Sequence, residues 1–248
     1  MALTHRTILI TGGNSGIGQA LARDLQAKGN RIIITGRKPD SLQAVLDENP
    51  GMVGYVLDVT DRDALAAFPP MVVAEHPELD TVILNAGIME SEDYTADPVD
   101  LDVAERTIAT NLTAPVHLAA AFLPHLQTRP TAALLTVSSG LAFVPKAANP
   151  VYSATKAAIH SWTQSLRHQL RNTSVAVHEI APPLVATELT PGQSQQTAAM
   201  PLEDFTAEVM DILSREDIPD EILVSRVAFQ RKAEAEGRHA AAFEAING

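Results

Sequence analysis

Short apolar runs rich in β-branched residues alternate along this chain with longer stretches of helical period. The runs are Thr7–Ile10, Arg31–Thr35, Met52–Leu57, Thr81–Leu84, Ala132–Val137, Val175–Ile180 and Glu221–Val224. Between them, segments near 17–28, 40–48, 61–74, 99–127, 152–171 and 202–214 read as helices. Runs such as Ile32-Ile33-Ile34 are apolar at consecutive positions, which suits strands buried on both faces. Strand, helix, strand at this spacing predicts an α/β architecture: a doubly wound parallel sheet of about seven strands, with helices on both faces. In the segment from Tyr152, residues Ala158, Trp162, Leu166 and Leu170 recur every fourth position as one apolar stripe. Residues 188–205 have little periodicity and a turn signal at Pro191-Gly192, which reads as a mobile flap or a plain surface loop. No linker or repeat divides the 248 residues, so a single domain is expected over 1–248. Its cofactor half would cover about 1–130 and its catalytic and substrate half about 131–248.

Charge and composition narrow the uses of such a sheet. A formal net charge of −12 argues against nucleic acid as a partner, because a phosphate-backbone binder needs a basic face. The acidic cluster Glu90, Glu92, Asp93, Asp97 and Asp100 reads as a solvated loop. There is no cysteine, which excludes disulfides, thiolate metal sites and a Cys nucleophile. His117 and His125, like His160 and His168, are too far apart along a helix (about 12 Å) to share a metal, and no metal site is expected. No stretch approaches the ~20 apolar residues of a membrane span. The start, MALTHRTILITGG, lacks the long apolar core of a signal peptide. A cytoplasmic protein with no membrane partner is expected.

The first strand runs straight into Thr11-Gly12-Gly13-Asn14-Ser15-Gly16-Ile17-Gly18, followed by a helix. Glycine lets the backbone turn tightly beside an anion, and a helix N-terminus offers free N–H groups and positive potential. The turn, with Gly12, Asn14, Ser15, Gly16, Ile17 and Gly18, therefore reads as a pyrophosphate cradle. The end of the second strand selects the dinucleotide: in Rossmann folds an acidic residue there bonds the ribose, and a basic one accommodates a 2′-phosphate. Here Gly36 stands where Asp is expected and Arg37 follows, so NADP(H) is the expected coenzyme. Asp58, closing the third strand, is placed to touch the adenine.

Tyr152 and Lys156 are four apart at the start of a helix and share a face. An ammonium beside a phenol favours the phenolate and lowers the phenol pKa. Ser138 and Ser139 end the fifth strand, and Asn85-Ala86-Gly87 follow the fourth, both at the carboxyl edge where open α/β sheets bind ligands. Asn111 is a polar residue inside a long helical segment, among Ile108, Leu112 and Val116, and needs a reason to be there. Met89, Leu141, Phe143 and Val144 are candidates for a partly apolar substrate pocket.

In order along the chain, Thr11–Gly18, Asp58-Val59, Asn85–Gly87, Asn111, Ser139 (thirteen residues before Tyr152) and Tyr152–Lys156 resemble the motifs of the short-chain dehydrogenase/reductase family. The resemblance implies an oxidoreductase that moves a hydride between NADP(H) and a small carbonyl compound or secondary alcohol. It implies that Tyr152 exchanges a proton with the substrate oxygen and that Ser139 hydrogen-bonds that oxygen. Lys156 would bind the nicotinamide ribose and lower the tyrosine pKa, and Asn111 would hold a water linked to Lys156. Val59 and Asn85–Gly87 would line the coenzyme site, and Val185 and Thr187 would hold the nicotinamide amide. The family commonly pairs helices like 99–127 and 152–171 across a two-fold axis, implying a homodimer or homotetramer.

One motif departs from the pattern: Pro182-Pro183 replaces the family's usual Pro-Gly, and Pro183 has no N–H and a fixed φ. This Pro-Pro form with Gly36-Arg37 is similar to a bacterial subgroup related to proteins encoded beside teichoic-acid D-alanylation genes. Two other readings remain open: a ketoreductase for carrier-bound substrates, and a sensor that binds NADP(H) without chemistry.

Overall fold

The computed structural model describes residues 2–248. Seven parallel strands form one sheet in the order β3-β2-β1-β4-β5-β6-β7. They are β1 (Thr7–Ile10), β2 (Arg31–Gly36), β3 (Val53–Val56), β4 (Thr81–Leu84), β5 (Ala132–Val137), β6 (Val175–Ile180) and β7 (Glu221–Ile222). The helices are α1 (Gly16–Ala27), α2 (Pro39–Glu48), α3 (Arg62–Glu75), α4 (Asp102–Ile108), α5 (Ala114–Leu126), α6 (Pro150–Leu170), α7 (Leu202–Leu213), α8 (Ala228–Arg231) and α9 (His239–Asn247). Among the described residues no helix is long and apolar enough to cross a membrane.

The apolar runs are explained by burial on both sides of the sheet. Ile8, Ile10, Ile32, Ile34 and Ile83 face one layer, against Leu21 and Leu25 of α1, Val45 of α2, and Phe205 and Val209 of α7. Leu9, Ile33, Val82, Leu84 and Leu134 face the other, against Phe68 of α3, Leu118 and Phe122 of α5, and Leu166 and Leu170 of α6. Each such side chain contributes about 1.5–3 kcal/mol on burial, so adjacent apolar positions stabilise both layers at once. After β3 the chain crosses back to lay β4 beside β1. The loops leaving those two strands therefore diverge, which opens a crevice at the carboxyl edge.

Four expectations need correction. The helix expected over 99–127 starts later and is not uniform: it is continuous from Asp102 to Leu126, with a π turn, Ala109–Thr113, inserted between α4 and α5. The stripe on α6 is shifted, because Tyr152, Lys156, Ile159, Thr163, Leu166 and Leu170 are buried while Ala158 and Trp162 are only partly so. The face turned to the sheet includes polar positions, since Thr163 Oγ1 bonds Thr136 Oγ1 of β5 at 2.9 Å. The flap ends before 205: α7 begins at Leu202, Phe205 is fully buried, and Gln193, Ala199 and Met200 are buried too. Finally, β7 is only two residues long, and the chain beyond it forms two short helices that the sequence pattern does not reveal.

Candidate active site

The turn after β1 is braced from β4. Thr11 Oγ1 accepts the N–H groups of Asn85 and Ala86, both at 3.0 Å. Asn85 Nδ2 donates to Thr11 O at 2.9 Å and to Gly12 O at 3.2 Å. Asn85 is thus a clamp between two strand ends, with its amide committed to the turn. A side chain at Gly18 would place Cβ 2.3 Å from Gly12 O, so only glycine lets α1 start this close to the turn. The result is a cleft of ≈ 560 Å³ at the carboxyl edge of the sheet. Gly12, Asn14, Ser15, Gly16, Ile17, Gly18, Arg37, Asp58, Val59, Asn85, Ala86 and Gly87 line it together with Ser139, Tyr152, Lys156, Val185 and Thr187.

At the end of β2 a side chain on Gly36 would put Cβ 2.5 Å from Cγ of Asn14, whose Nδ2 is tied to Ser41 Oγ at 2.8 Å. That fixed neighbour leaves no room for the acidic residue that other dinucleotide sites carry here. Arg37 and Lys38 are exposed at the mouth of the cleft, and Ser41 joins them in its wall. Partial burial opposes ionisation of Asp58, but Thr60 N and Oγ1, at 2.9 and 2.7 Å, and the nearby Arg37 charge outweigh it. Its pKa therefore lies below the usual carboxylate value.

Helix α6 begins at Pro150, placing Tyr152 and Lys156 in its first two turns. Ser139 sits just past β5, where its Oγ caps a 3-10 turn by accepting Leu141 N at 3.1 Å and its hydroxyl favours the Tyr152 phenolate. Burial pushes the Tyr152 pKa up to about 12, and the Ser139 hydroxyl only partly offsets it. Lys156 Nζ donates to Val137 O at 2.9 Å and lies 5.5 Å from the Tyr152 ring centre. Burial pulls its pKa down to about 8, with the Glu179 charge acting the other way. Desolvation dominates, and the phenol stays protonated at neutral pH.

Asn111 does not line the cleft. The π turn aims it inward, where Oδ1 accepts Ile88 N at 2.9 Å and Nδ2 donates to Ile88 O at 2.8 Å. Its side chain is buried and committed to the backbone after Gly87, so the amide braces the strand-four loop against the helix. Ser138 is likewise structural: its hydroxyl bonds Glu179, a fully buried carboxylate on β6. Glu179 Oε2 also pairs with His160 Nδ1 of α6 at 2.8 Å. Of the expected apolar pocket, Val144 turns away to pack with Ala233 and Ala242, and Phe143 lies between the His160 ring and Arg231. Ile88, Pro182, Pro183 and Leu189 supply the apolar wall instead. The prolines do not disrupt the path after β6. Pro182 O accepts Gly140 N at 2.7 Å, and Val185 bridges Met200 through Ala186 N→Met200 O and Met200 N→Leu184 O, both 2.8 Å.

A buried ammonium has a stability consequence whose sign is fixed. With a folded pKa of about 8 against an ordinary 10.5, Lys156 destabilises the fold by about 3 kcal/mol below pH 8. The penalty fades as pH rises from 8 to 10.5, because over that window the unfolded chain binds the extra proton. Lys156→Met removes the penalty and forfeits one hydrogen bond worth about 1 kcal/mol. Urea unfolding at pH 7 should show the variant about 1–2 kcal/mol more stable than wild type, with the gap smaller at pH 9.5. A variant less stable at pH 7 would contradict the burial argument.

Sequence comparison decides the family. The short chain dehydrogenase family model matches residues 6–198. The chain belongs to the short-chain dehydrogenases. It is 46% identical over 189 residues to the uncharacterized oxidoreductase DltE of Bacillus subtilis (strain 168), covering 76% of this chain and 75% of that protein. A metagenomic short-chain oxidoreductase crystallised in complex with NADP is 27% identical, with a TM-score of 0.76 over 90% of this chain and 98% of its own. A short chain dehydrogenase from Burkholderia cenocepacia J2315 superposes over 100% of both chains with a TM-score of 0.84, at 23% identity, and shares the fold.

Proposed function

We propose that this short-chain dehydrogenase is an NADP(H)-dependent carbonyl reductase or alcohol dehydrogenase for a small organic substrate. The observation that carries the reading is the placement of Ser139, Tyr152 and Lys156 in the same cleft as Arg37. The residues present fit a dinucleotide. Gly18 and its turn leave backbone room for a pyrophosphate at the N-terminus of α1, Arg37 suits a 2′-phosphate, and Val185 and Thr187 line the same cleft as Tyr152. The coenzyme, when bound, supplies or accepts the hydride.

The remaining steps fall to side chains of this chain. In reduction the Tyr152 phenol gives its proton to the substrate oxygen, and burial keeps that proton available across the neutral range. Ser139 Oγ, anchored by Leu141 N beside the phenol, orients the same oxygen. Lys156, held by Val137 O, presents its ammonium to the ribose and stabilises the phenolate that the proton transfer leaves behind. Glu179, pairing with His160 beneath Ser138, sustains the charge on Lys156.

The test is a panel of ketones, aldehydes and secondary alcohols, read by nicotinamide absorbance with NADPH or NADP⁺. Turnover of a carbonyl compound supports the reading. Tight coenzyme binding without turnover across the panel favours a sensor. The reading also makes the protein a homodimer or homotetramer, since Trp162 on α6 and Ile108 on α4 leave apolar surface only partly covered. Light scattering at micromolar concentration should return a multiple of 26.5 kDa, and the monomer mass would exclude it.

A further inference from the structure

The loop that follows Val185 carries a buried primary amide in an unexpected place. Gln193 is 4% exposed, on a short 3-10 turn amid a polar, mostly exposed segment. Its Nε2 donates to Val185 O at 2.9 Å and lies 3.3 Å from Thr187 Oγ1 as donor, and its Oε1 accepts from Thr190 Oγ1 at 3.0 Å. Val185 O also accepts Thr187 N at 2.8 Å. A backbone carbonyl has two lone pairs, so Val185 O is fully engaged. All three residues, Val185, Thr187 and Gln193, line the cleft.

We propose that the Gln193 side-chain amide is a built-in occupant of the position that the nicotinamide carboxamide takes, and that coenzyme binding must displace it. The inference rests on the coenzyme reading above and deepens it. The two groups are chemically the same, a planar primary amide with an N–H₂ donor face. If Val185 and Thr187 hold the carboxamide, as the coenzyme reading has it, it would meet the same acceptors as the Gln193 amide, Val185 O and Thr187 Oγ1. Of the two donors on Val185 O, Thr187 N is fixed by the chain two residues on, so the Gln193 bond is the one that yields. Displacement also breaks the link from Gln193 to Thr190. It leaves the segment held by Glu188, which accepts from Gly192 N at 2.8 Å and from Ser194, and by the bridge between Val185 and Met200. Gln193 is therefore a positioning residue: it fills the acceptors until the nicotinamide amide takes its place.

Two ligands separate this role from a merely structural one. NADP⁺ carries the carboxamide, and 2′-phospho-ADP-ribose is the same molecule without the nicotinamide. Calorimetry on the full chain should give Gln193→Leu a dissociation constant for NADP⁺ about three- to tenfold lower than wild type, the scale of one competing hydrogen bond. The constant for 2′-phospho-ADP-ribose should stay within twofold. Gln193→Glu, which keeps the volume but removes the N–H₂ donor, should reproduce the pattern and stands in if the leucine variant does not fold. Weaker or unchanged NADP⁺ binding in the variants overturns the proposal, as does an equal change for both ligands. A wild type that binds neither ligand overturns the coenzyme reading itself, and this inference with it.

Discussion

Tyr152→Phe is expected to lower turnover by about 10²–10⁴-fold while leaving the fold and coenzyme affinity nearly intact. The substitution removes one hydroxyl from a side chain that is 6% exposed and keeps its ring packing. Ser139→Ala should slow turnover less, because the phenol still reaches the substrate oxygen without the hydroxyl that orients it. Lys156→Met should both weaken NADPH binding and slow the reaction. The pH dependence follows from the two opposed shifts. The reductive step needs the phenol protonated, and with a Tyr152 pKa pushed up to about 12 it stays protonated far above neutrality. Reduction should therefore show no loss from Tyr152 below about pH 10. A limb near pH 8, where Lys156 gives up its proton, should appear in wild type and vanish in Lys156→Met. Oxidation needs the phenolate and should be slow at pH 7, rising with pH. With an active substrate from the panel in hand, a Tyr152→Phe enzyme keeping more than about a tenth of wild-type kcat/KM would falsify this mechanism.

What is legible in the sequence follows from the range of the interactions involved. Strands such as Ile32-Ile33-Ile34 stand out because burial on both faces demands apolar residues at every position, a local signal. The turn at Thr11–Gly18 and the pair Tyr152–Lys156 are legible for the same reason, since one tight turn or one helical turn fixes their geometry. The π turn at Asn111 is not legible, because it is recognised only by what the amide meets, the backbone of Ile88 at 2.8–2.9 Å. That Asn85 also braces the turn is not legible, because its partners come from a strand end 73 and 74 positions away. A signal does exist for Glu179, an acidic residue in Val175–Ile180 at an alternate position with Val175 and Val177, the face that is buried. It marks a buried carboxylate that needs partners, and Ser138 and His160 are those partners. Gln193 leaves no trace, since a glutamine in Gln-Ser-Gln-Gln looks like solvated loop until the fold returns it to Val185. The terminal helices escape notice because α8 spans one turn and α9 buries only Ala242, too little for a periodic pattern.

Arg37 should set the coenzyme preference, with NADPH bound about ten- to a hundredfold more tightly than NADH. A charge-assisted hydrogen bond to a 2′-phosphate is worth about 1.5–3 kcal/mol, which converts to that range. Arg37→Asp should lower NADPH affinity by at least this factor, because it replaces attraction with repulsion at the same point, and should leave NADH binding little changed. Arg37 is exposed, so the preference should shrink as salt rises from 0.1 to ~1 M and the screening length falls from about 10 to 3 Å. The neighbouring position supplies the control. Placing the acid at Gly36 instead should not convert the enzyme to NADH, since Cβ would stand 2.5 Å from Asn14 Cγ, and Asn14 is tied to Ser41. Gly36→Asp should therefore weaken both coenzymes by disturbing the wall they share, whereas Arg37→Asp should weaken one. Dissociation constants for both coenzymes, measured by calorimetry on wild type and the two variants, decide the matter. Equal affinities in wild type, or a Gly36→Asp protein that binds NADH more tightly, would remove Arg37 from the recognition of the 2′-phosphate.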